Sequence, residues 1–494
     1  MPFQLQPFNE IGLDEALLRL LLDEHEERDL PALDRLWSYY RNPIVSAPAG
    51  AGRTRLAQEA GLPSRLRGRR DTGADDRDDA LREIVIENDI AWRIHAMVDL
   101  MFGRPVALRS EAKDPQRRAE IERLLGAVLT ASGGMALLQD MALLGSVYGH
   151  VDLLVRADDA FGAGAASGAP IERDVELAER IRIELIEAPR AIPLLDPSDY
   201  RRLQAMLVRT VRAGGGVEEG AATPRLLARA LGRRSRRRRV EVEVIEIISA
   251  SRRHVYEDGA LVESAPNPLG VVPIAHIQNI SQPFHYAGLS EVEPLIPLQD
   301  ELNTRLSDRA HRVTMQSFKM YLAKGVESMF TGAEPPRVGP GQVWSTDNPE
   351  ASVQAFGGDG DSPGEESHIE QVREAMDKAS SVSPLAAGVI RDRIGNLSSE
   401  NALRVTLMGM LAKTARKQVM YGRGLSQAAA LVLKALDSAG IYRTSESERG
   451  VRIEWPEPLP TTERERLETA LLKRDLGVAR ERVLEELGYG GGEG

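Results

Sequence analysis

The sequence predicts an α+β protein with a mainly helical first third, a middle part of antiparallel strands, and long helices in the remainder. Two patterns lead to this class. Apolar residues recur every three or four positions up to about residue 150 and again after residue 290, whereas they alternate with polar residues between 181 and 262. These periods are those of helices and strands, respectively. The chain has 494 residues and is 42% hydrophobic, which is enough for more than one packed unit.

Charge and composition exclude several classes of function. The formal net charge is −11 and the chain has no cysteine, so we expect no tight coating of nucleic acid, no disulfides and no thiolate metal sites. No stretch approaches the roughly 20 apolar residues that span a bilayer, and residues 1–10 lack a signal-peptide pattern. We therefore expect a soluble protein, made inside the cell, with no membrane partner. An acidic wall would also let a polyanion slide past without sticking.

The first third is predicted to be helical with one surface insertion. Leucines at helical spacing among acids predict an amphipathic helix over 14–27. Residues 46–79 are rich in Gly, Pro, Ala and Arg, which indicates a surface loop. Helical periodicity returns over 79–101 and 115–154, with a break at residues 133–134.

The middle part is predicted to form antiparallel strands. Alternation over 181–186 and 240–245 indicates two of them. The Asp258-Gly259 pair lies where a tight hairpin would turn, and residues 266–270 suggest a further turn. The run Arg233, Arg234 and 236–239 between these strands is interpreted as a solvated loop, with binding of nucleic acid or an acidic scaffold protein as the alternative.

Two helices then flank a small β-rich insert. The first begins near Pro297, because proline is tolerated only in the first turn of a helix. Its apolar stripe consists of Leu298, Leu302, Leu306, Ala310 and Val313. So narrow a stripe predicts a helix that contacts few neighbours. The second helix, over 365–382, carries a similar stripe and should pack beside the first. Alternation at 318–322 predicts a strand in the insert, with further candidates near Val343 and Val353.

The last part is predicted to contain a loop, a long helix and a small helical end. The loop covers 383–396. Ser398 or Ser399 can cap a helix that runs toward Ala439, and Gly422 with Gly424 should interrupt and bend it. A strand over 451–455 and two short helices within 461–487 follow.

Five segments, in order along the chain, resemble those of tailed-bacteriophage portal proteins of the siphophage type. They are LQDMALLGSVYGHVDLLVR from Leu138, IELIEAPRAIPLLDPSDY from Ile183, PNPLGVVPIAHIQN from Pro266, GLSEVEPLIPLQDELNTRLSD from Gly288 and LSSENALRVTLMGMLAKT from Leu397. The resemblance covers roughly 79–487. The Arg-rich insertion at 209–239 departs from the family pattern. A gene-transfer-agent portal cannot be separated from a phage portal by these residues.

The resemblance implies a portal fold and a domain order. The expected domains are the wing (1–285), the stem (286–317 and 365–382), the clip (318–364), the tunnel loop (383–397), a long kinked helix with a return strand of the wing (398–460) and the crown (461–494). It also implies a ring, commonly of about twelve subunits, at one vertex of a virion assembled in the host cytoplasm. Double-stranded DNA would enter and leave through the ring. The implied partners are DNA, the terminase large subunit, the major capsid and scaffolding proteins, and the head-completion adaptor proteins.

The resemblance also suggests which residues carry this function. The DNA-facing tunnel loop would contain Gly388, Arg391, Asp392, Arg393 and Asn396. The channel side of the stem would contain Asp300, Glu301, Arg305, Asp308 and Arg309. The clip would bind partners through Tyr321, Lys324, Arg337 and Trp344. For Arg391 and Arg393 a second interpretation stays open, in which they pair with acids of a neighbouring subunit.

No catalytic, cofactor or metal site is predicted. The segment from Ala47 resembles a phosphate loop, but Arg53 replaces the lysine and the first glycine is absent. His25 lies among acids without the second histidine of a zinc helix, so we expect a solvated acidic face there. A packaging ATPase would need a working phosphate loop. Another head-tail connector ring, such as an adaptor, remains an alternative, although adaptors are usually much shorter.

Overall fold

The computed structural model describes residues 5, 8–45, 55–67, 83–161, 170–219, 237–317, 320–324, 349–350, 352–356, 363–387, 404–458, 463–478, 480 and 483–484. Within these ranges the chain combines α-helices with antiparallel β-sheets, which agrees with the predicted α+β class. No single described helix is long and apolar enough to cross a membrane. Two consecutive helices, Pro115–Ala131 and Met135–Tyr148, meet that criterion only as a pair, bent by 69°.

Helices form most of the N-terminal part, and the turn between the first two contains a buried histidine. The helices are α1 (Glu15–Glu24), α2 (Leu30–Arg41), α3 (Ser64–Arg67) and α4 (Asp89–Phe102). Asp14 caps α1 by accepting a hydrogen bond from the Leu17 N–H at 2.8 Å. The predicted solvated face at His25 is wrong. This residue lies in a π-helical turn between α1 and α2, is 3% exposed, and places Nε2 2.9 Å from the Pro189 carbonyl oxygen.

The structure describes part of the predicted surface insertion. Strands β1 (Ile44–Val45) and β2 (Arg55–Leu56) pair antiparallel, and a 3₁₀ helix, Ala57–Gly61, follows. The segment that resembles a phosphate loop lies mostly outside the described residues.

Helices α5 (Pro115–Ala131) and α6 (Met135–Tyr148) meet at Gly133 and Gly134, as predicted. The helix predicted to reach residue 154 is wrong beyond α6, because His150–Arg156 forms strand β4. Six of the seven residues of β4 are buried. A strand buried on both faces has no polar alternation, so its apolar run cannot be distinguished from a helix by period alone.

Two antiparallel sheets form the middle part. The first has the order β11–β4–β5 and adds β5 (Arg182–Glu187) and β11 (Ile274–Gln278). The second has the order β10–β9–β8–β7–β6 and consists of β6 (Ala191–Asp196), β7 (Asp199–Glu219), β8 (Arg237–Ser249), β9 (Arg252–Glu257) and β10 (Ala260–Pro266). Asp258 and Gly259 both have positive φ and close the β9–β10 hairpin, as predicted. Arg237–Arg239 pair with residues 217–219, so this part of the arginine run is strand and not loop.

The predicted order of helix, small β insert and helix is confirmed. Helix α8 (Ile296–Ser317) leads to strand β12 (Met320–Lys324), which pairs antiparallel with β13 (Ser352–Phe356) before α9 (Pro363–Ser380). Helix α7 (Ile171–Ala178) lies earlier, between β4 and β5. The strand candidate near Val343 lies outside the described residues.

Helix α10 (Met408–Ser438) runs for 31 residues without a break, so the predicted interruption at Gly422 and Gly424 is wrong. A Cβ at Gly424 would lie 2.1 Å from Ile277 Cγ1. Glycine therefore lets α10 approach β11 closely, and sequence alone does not separate this role from a helix break.

The predicted strand after α10 is confirmed as β14 (Val451–Glu454), which pairs with β3 (Ala107–Ser110). Helix α11 (Glu463–Asp475) is the first of the two predicted terminal helices. Most of the second lies outside the described residues.

The largest apolar core joins the two predicted stem helices to the predicted wing. It includes Met141 of α6, Leu153 of β4, Ile277 of β11, Leu302 of α8 and Met376 of α9, each at most 1% exposed. The part of the α8–α9 pair that follows the sheets is therefore rooted in the main core and does not project freely from it.

Candidate functional site

Helices α8 and α9 form an antiparallel pair. Leu302 and Leu306 of α8 share a buried cluster with Ile369 and Val372 of α9. At the surface, His368 Nε2 lies 3.0 Å from Glu301 Oε1, and Arg312 forms an ion pair with Glu365. The predicted side-by-side packing of the two helices is confirmed.

A second face of α8 is buried through polar side chains, which the narrow apolar stripe does not predict. Gln299, Asn303 and Ser307 are each 0% exposed. Gln299 Oε1 accepts from the Asp89 N–H, Asn303 Oδ1 from the Glu87 N–H and Ser307 Oγ from the Val85 N–H, each at 3.0 Å. The prediction that this helix contacts few neighbours is therefore wrong.

We call the three side chains Gln299, Asn303 and Ser307 the polar ladder. Two repeat lengths explain their hydrogen bonds. Alternate residues of an extended chain are separated by about 6.6 Å. Residues four apart along a helix are separated by about 6 Å. Side chains at 307, 303 and 299 can therefore meet alternate backbone N–H groups at residues 85, 87 and 89, the last of which is the first residue of α4. The ladder replaces the strand neighbour that the extended segment 83–88 lacks among the described residues.

Gln58 connects the ladder to the N-terminal helices. Its Oε1 accepts from Asn303 Nδ2 at 3.0 Å. Its Nε2 donates to the Tyr39 carbonyl oxygen at 2.7 Å and to Asn88 Oδ1 at 3.0 Å. Gln58 is 0% exposed, and leaving any of these groups unpaired would cost about 1–3 kcal/mol.

The predicted channel residues of α8 are mostly paired within the chain. Asp300 accepts from the Tyr39 hydroxyl at 2.6 Å, and burial raises the pKa of its carboxyl. Asp308 pairs with Arg65, which lowers the pKa of that carboxyl. Glu301 lies 2.7 Å from Arg305. Arg309 is exposed and has no ion-pair partner among the described residues. Their role in a channel stays a prediction.

The sequence-based prediction misses a line of acids on α9. Glu366, Glu370 and Glu374 are exposed and lie four residues apart, which places them along one face of the helix. None of the three has an ion-pair partner among the described residues. The i, i+4, i+8 repeat of glutamate is visible in the sequence and could have identified this face.

The other predicted site residues fall largely outside the described chain. Gly388, Arg391, Asp392, Arg393 and Asn396 all lie there. Of the predicted tunnel loop the structure describes its start, including a short 3₁₀ helix, Pro384–Ala387.

Of the predicted clip residues, Tyr321 and Lys324 belong to strand β12, opposite Ala355 and Ser352. Arg337 and Trp344 lie outside the described residues.

Four of the five motif segments meet at one buried carboxylate. Glu291 is only 5% exposed. Its carboxylate accepts hydrogen bonds from Lys417 Nζ at 2.5 Å and from Asn279 Nδ2 at 3.1 Å, and it also forms an ion pair with Lys413. Lys417 Nζ additionally donates to Ser146 Oγ at 2.8 Å. Segments far apart in sequence therefore share one polar centre, which we call the Glu291 centre (Ser146, Asn279, Glu291, Lys413 and Lys417).

The charges of the Glu291 centre shift its protonation equilibria. Burial alone would raise the pKa of Glu291, but Lys417 and Lys413 outweigh burial and lower this pKa to about 2. Burial lowers the pKa of Lys417, and Glu291 offsets part of that effect. The centre holds two lysines for one carboxylate, so the carboxylate keeps one lysine partner when the other is removed.

A second buried polar group lies on β4 and β11. His276 Nδ1 is 2.8 Å from Asp152 Oδ1, and the Tyr286 hydroxyl donates to the same oxygen at 2.7 Å. Burial opposes ionisation of Asp152, but His276 and Tyr286 outweigh it and lower the pKa of this carboxyl. The described residues contain no group of His, Cys, Asp and Glu that could hold a metal ion.

The chain is similar to a known protein family and to solved structures. The family model described as "Phage portal protein, SPP1 Gp6-like" matches residues 20–487. No curated protein sequence matches the chain. The solved structure described as "Neck of empty GTA particle computed with C6 symmetry" is similar, with 13% identity over 81% of this chain and 90% of that chain and a TM-score of 0.43. "Virion of native gene transfer agent (GTA) particle" is similar at 12% identity over 81% and 89%, with a TM-score of 0.41.

Proposed function

The chain belongs to the SPP1 Gp6-like phage portal protein family, and we propose that it assembles into a closed ring of about twelve copies at one capsid vertex. Double-stranded DNA enters through this ring during packaging and leaves through it during ejection. The family match over 20–487 is the observation that carries the proposal. The unit formed by α8, the β12–β13 hairpin and α9 supports a helical stem that ends in a small clip.

The acidic face of α9 supports a wall along which DNA slides. Glu366, Glu370 and Glu374 point away from the core and lack cationic partners in the described chain. Carboxylates repel phosphates, so DNA would have a short residence time at such a surface. Glu301 and Asp308 of α8 are each paired with an arginine, so these ion pairs add little net charge that could attract or repel DNA.

Contact with phosphate is assigned to the tunnel loop. Arg391 and Arg393 supply two cations, and neighbouring Gly388, Asp392 and Asn396 keep the contact short-lived. The loop follows directly from the end of α9. Pairing of the two arginines with acids of the next subunit is the competing interpretation.

Protein partners are assigned by domain. The clip, with Tyr321, Lys324, Arg337 and Trp344, binds the terminase large subunit first and head-completion proteins later. The wing contacts the major capsid and scaffolding proteins. The protein carries no enzymatic activity of its own in this proposal, and ATP hydrolysis belongs to the terminase.

Electron microscopy of the purified full-length protein tests the ring. Class averages down the symmetry axis should show a closed ring with a central hole, and side views should show a stem. A monomer or dimer at every salt concentration would contradict the proposal.

Charge reversal tests the channel wall. The variant E370K/E374K should form rings yet give fewer DNA-filled heads in a packaging reaction with terminase and empty heads, because added lysines hold phosphate. The control E176K/E179K makes the same charge change at two exposed residues, one in α7 and one directly after it. Equal packaging by both variants would contradict the proposal that this face of α9 lines the channel.

A further inference from the structure

The end of α9 is held by two buried cations that come from other helices. Arg93 of α4, 2% exposed, pairs with Asp377 in the last turn of α9. Lys413 of α10, 5% exposed, donates to the Ser380 carbonyl oxygen at 2.7 Å. Cations at a helix C-terminus are favourable because they meet the negative end of the helix dipole. Two of them at one terminus form a charge clamp.

The backbone beyond the clamp is also fixed. Ser381 ends the helix with a φ of +57°, a conformation that a residue other than glycine rarely adopts. Val382, 1% exposed, then packs with Met97 of α4 and Met410 of α10. The chain is therefore anchored at 382, immediately before the segment predicted to reach DNA.

The same lysine connects this anchor to the start of α8. Lys413 shares the Glu291 carboxylate with Lys417, one turn further along α10. Glu291 lies five residues before the first residue of α8, and its N–H donates to the Ser146 carbonyl oxygen at 2.9 Å. Lys413 therefore contacts both the end of α9, through the Ser380 carbonyl oxygen, and the segment before α8, through Glu291.

We propose that Lys413 and Arg93 are positioning residues that fix the root of the DNA-facing loop, so that the chain up to residue 382 stays attached to α4 and α10. A load on the loop passes through Lys413 and Glu291 to α10 and to the base of the stem. This inference rests on the proposed portal function for its biological meaning. The clamp itself is a physical property of the chain and is testable without DNA.

The charge count of the Glu291 centre makes a clean variant available. Two lysines face one carboxylate, so K413M leaves a balanced pair of Glu291 and Lys417 and no unpaired charge. K417M removes the same charge from the same carboxylate without touching α9. K417M is therefore the matched control, and K413R keeps the donor and the charge.

Hydrogen–deuterium exchange of the full-length protein measures the clamp. In K413M, amides of peptides covering 376–387 should exchange about ten- to a hundredfold faster, since a hydrogen bond from a charged group is lost. K417M should match the wild-type protein in these peptides, and K413R should lie within a few-fold of it. Unchanged exchange in K413M, or equal acceleration in K417M, would overturn the proposal.

A second variant covers the case in which K413M fails to fold. D377N cuts the link to Arg93 from the α9 side while Arg93 keeps Asp89 at 2.8 Å as its partner. It should accelerate the same peptides, and wild-type exchange in D377N would remove Arg93 from the clamp.

Packaging then connects the clamp to function. K413M rings of normal appearance should give fewer heads that retain DNA than K417M rings, and equal retention would reject the load path. If wild-type protein forms no ring while K413M still accelerates exchange, the proposed portal function fails and the clamp stands.

Discussion

Replacing Glu291 by glutamine should destabilise the protein by more than any surface carboxylate change. The amide has nearly the same shape, so packing is retained. The two lysine ammonium groups of the Glu291 centre, 5% and 0% exposed, lose the carboxylate that they share. Removing one partner of a buried ion pair typically costs about 3–5 kcal/mol, because the remaining charge is uncompensated.

The pKa of Glu291 leads to a similar magnitude. Its reduction from 4.5 to about 2 corresponds to roughly 3 kcal/mol at about 1.4 kcal/mol per pKa unit. Because this pKa is lowered on folding, the contribution is complete above pH 4.5 and is lost as the pH falls through about 2. In E291Q the folded state disfavours charged Lys417 more strongly than in the wild-type protein, because burial remains and the offset from Glu291 is lost. The unfolded state then binds more protons, so stability of the variant should rise with pH toward 10.5, the ordinary lysine pKa.

Urea unfolding at fixed protein concentration, followed by circular dichroism, measures both effects. The control is E301Q, because Glu301 also has two side-chain partners, Arg305 at 2.7 Å and His368 at 3.0 Å, but its side chain is 37% exposed. A surface pair contributes less than about 1 kcal/mol. Equal losses in E291Q and E301Q, or a deficit of E291Q that stays constant from pH 7 to 10, would refute the reasoning.

Three single contacts lead to further predictions. G424A should lower the free energy of unfolding by about 1–3 kcal/mol through overpacking, because the new Cβ would lie 2.1 Å from Ile277 Cγ1. In a double-mutant cycle I277A should offset part of that loss, and strict additivity would contradict the close approach. N303L should lose about 3 kcal/mol, since Glu87 N–H, Gln58 and Gln299 lose a buried partner. Its control is T304V, which removes a hydroxyl that donates to the Asp300 carbonyl oxygen within the same helix, and similar losses in both would argue against the ladder. D152N should be less stable than wild type at neutral pH. The difference in free energy of unfolding should narrow as the pH falls below 3.8 through the lowered pKa of Asp152. Acid unfolding of both proteins tests this, and a difference independent of pH would exclude the carboxylate as its source.

Elements with one dominant period could be predicted from the sequence. The amphipathic helices α1, α8 and α9, the hairpin at Asp258-Gly259 and the strand β14 all appear where the pattern places them. Each of these depends on local spacing or on turn residues, and local interactions favour the same structure as the fold does. The five motif segments likewise indicate the portal family, and the match of the family model over 20–487 confirms it.

The failures share a physical cause, which is tertiary packing that overrides a local pattern. Strand β4 lost its alternation because it is covered on both faces. Gly424 lies inside a continuous helix because β11 approaches it. Gln299 and Asn303 lie outside the apolar stripe of α8, yet backbone N–H groups more than 200 residues away in sequence pair with them.

The sequence by itself determined the class of the protein, most of the order of its elements and the apolar stripe of each amphipathic helix. Only the tertiary structure decided which polar side chains are buried and what they meet. Lys413 anchors α9 and, with Lys417, supplies the counter-charges for Glu291 through contacts that no local pattern encodes. Burial makes such contacts decisive, because an unpaired charge away from water costs far more than the same charge at the surface.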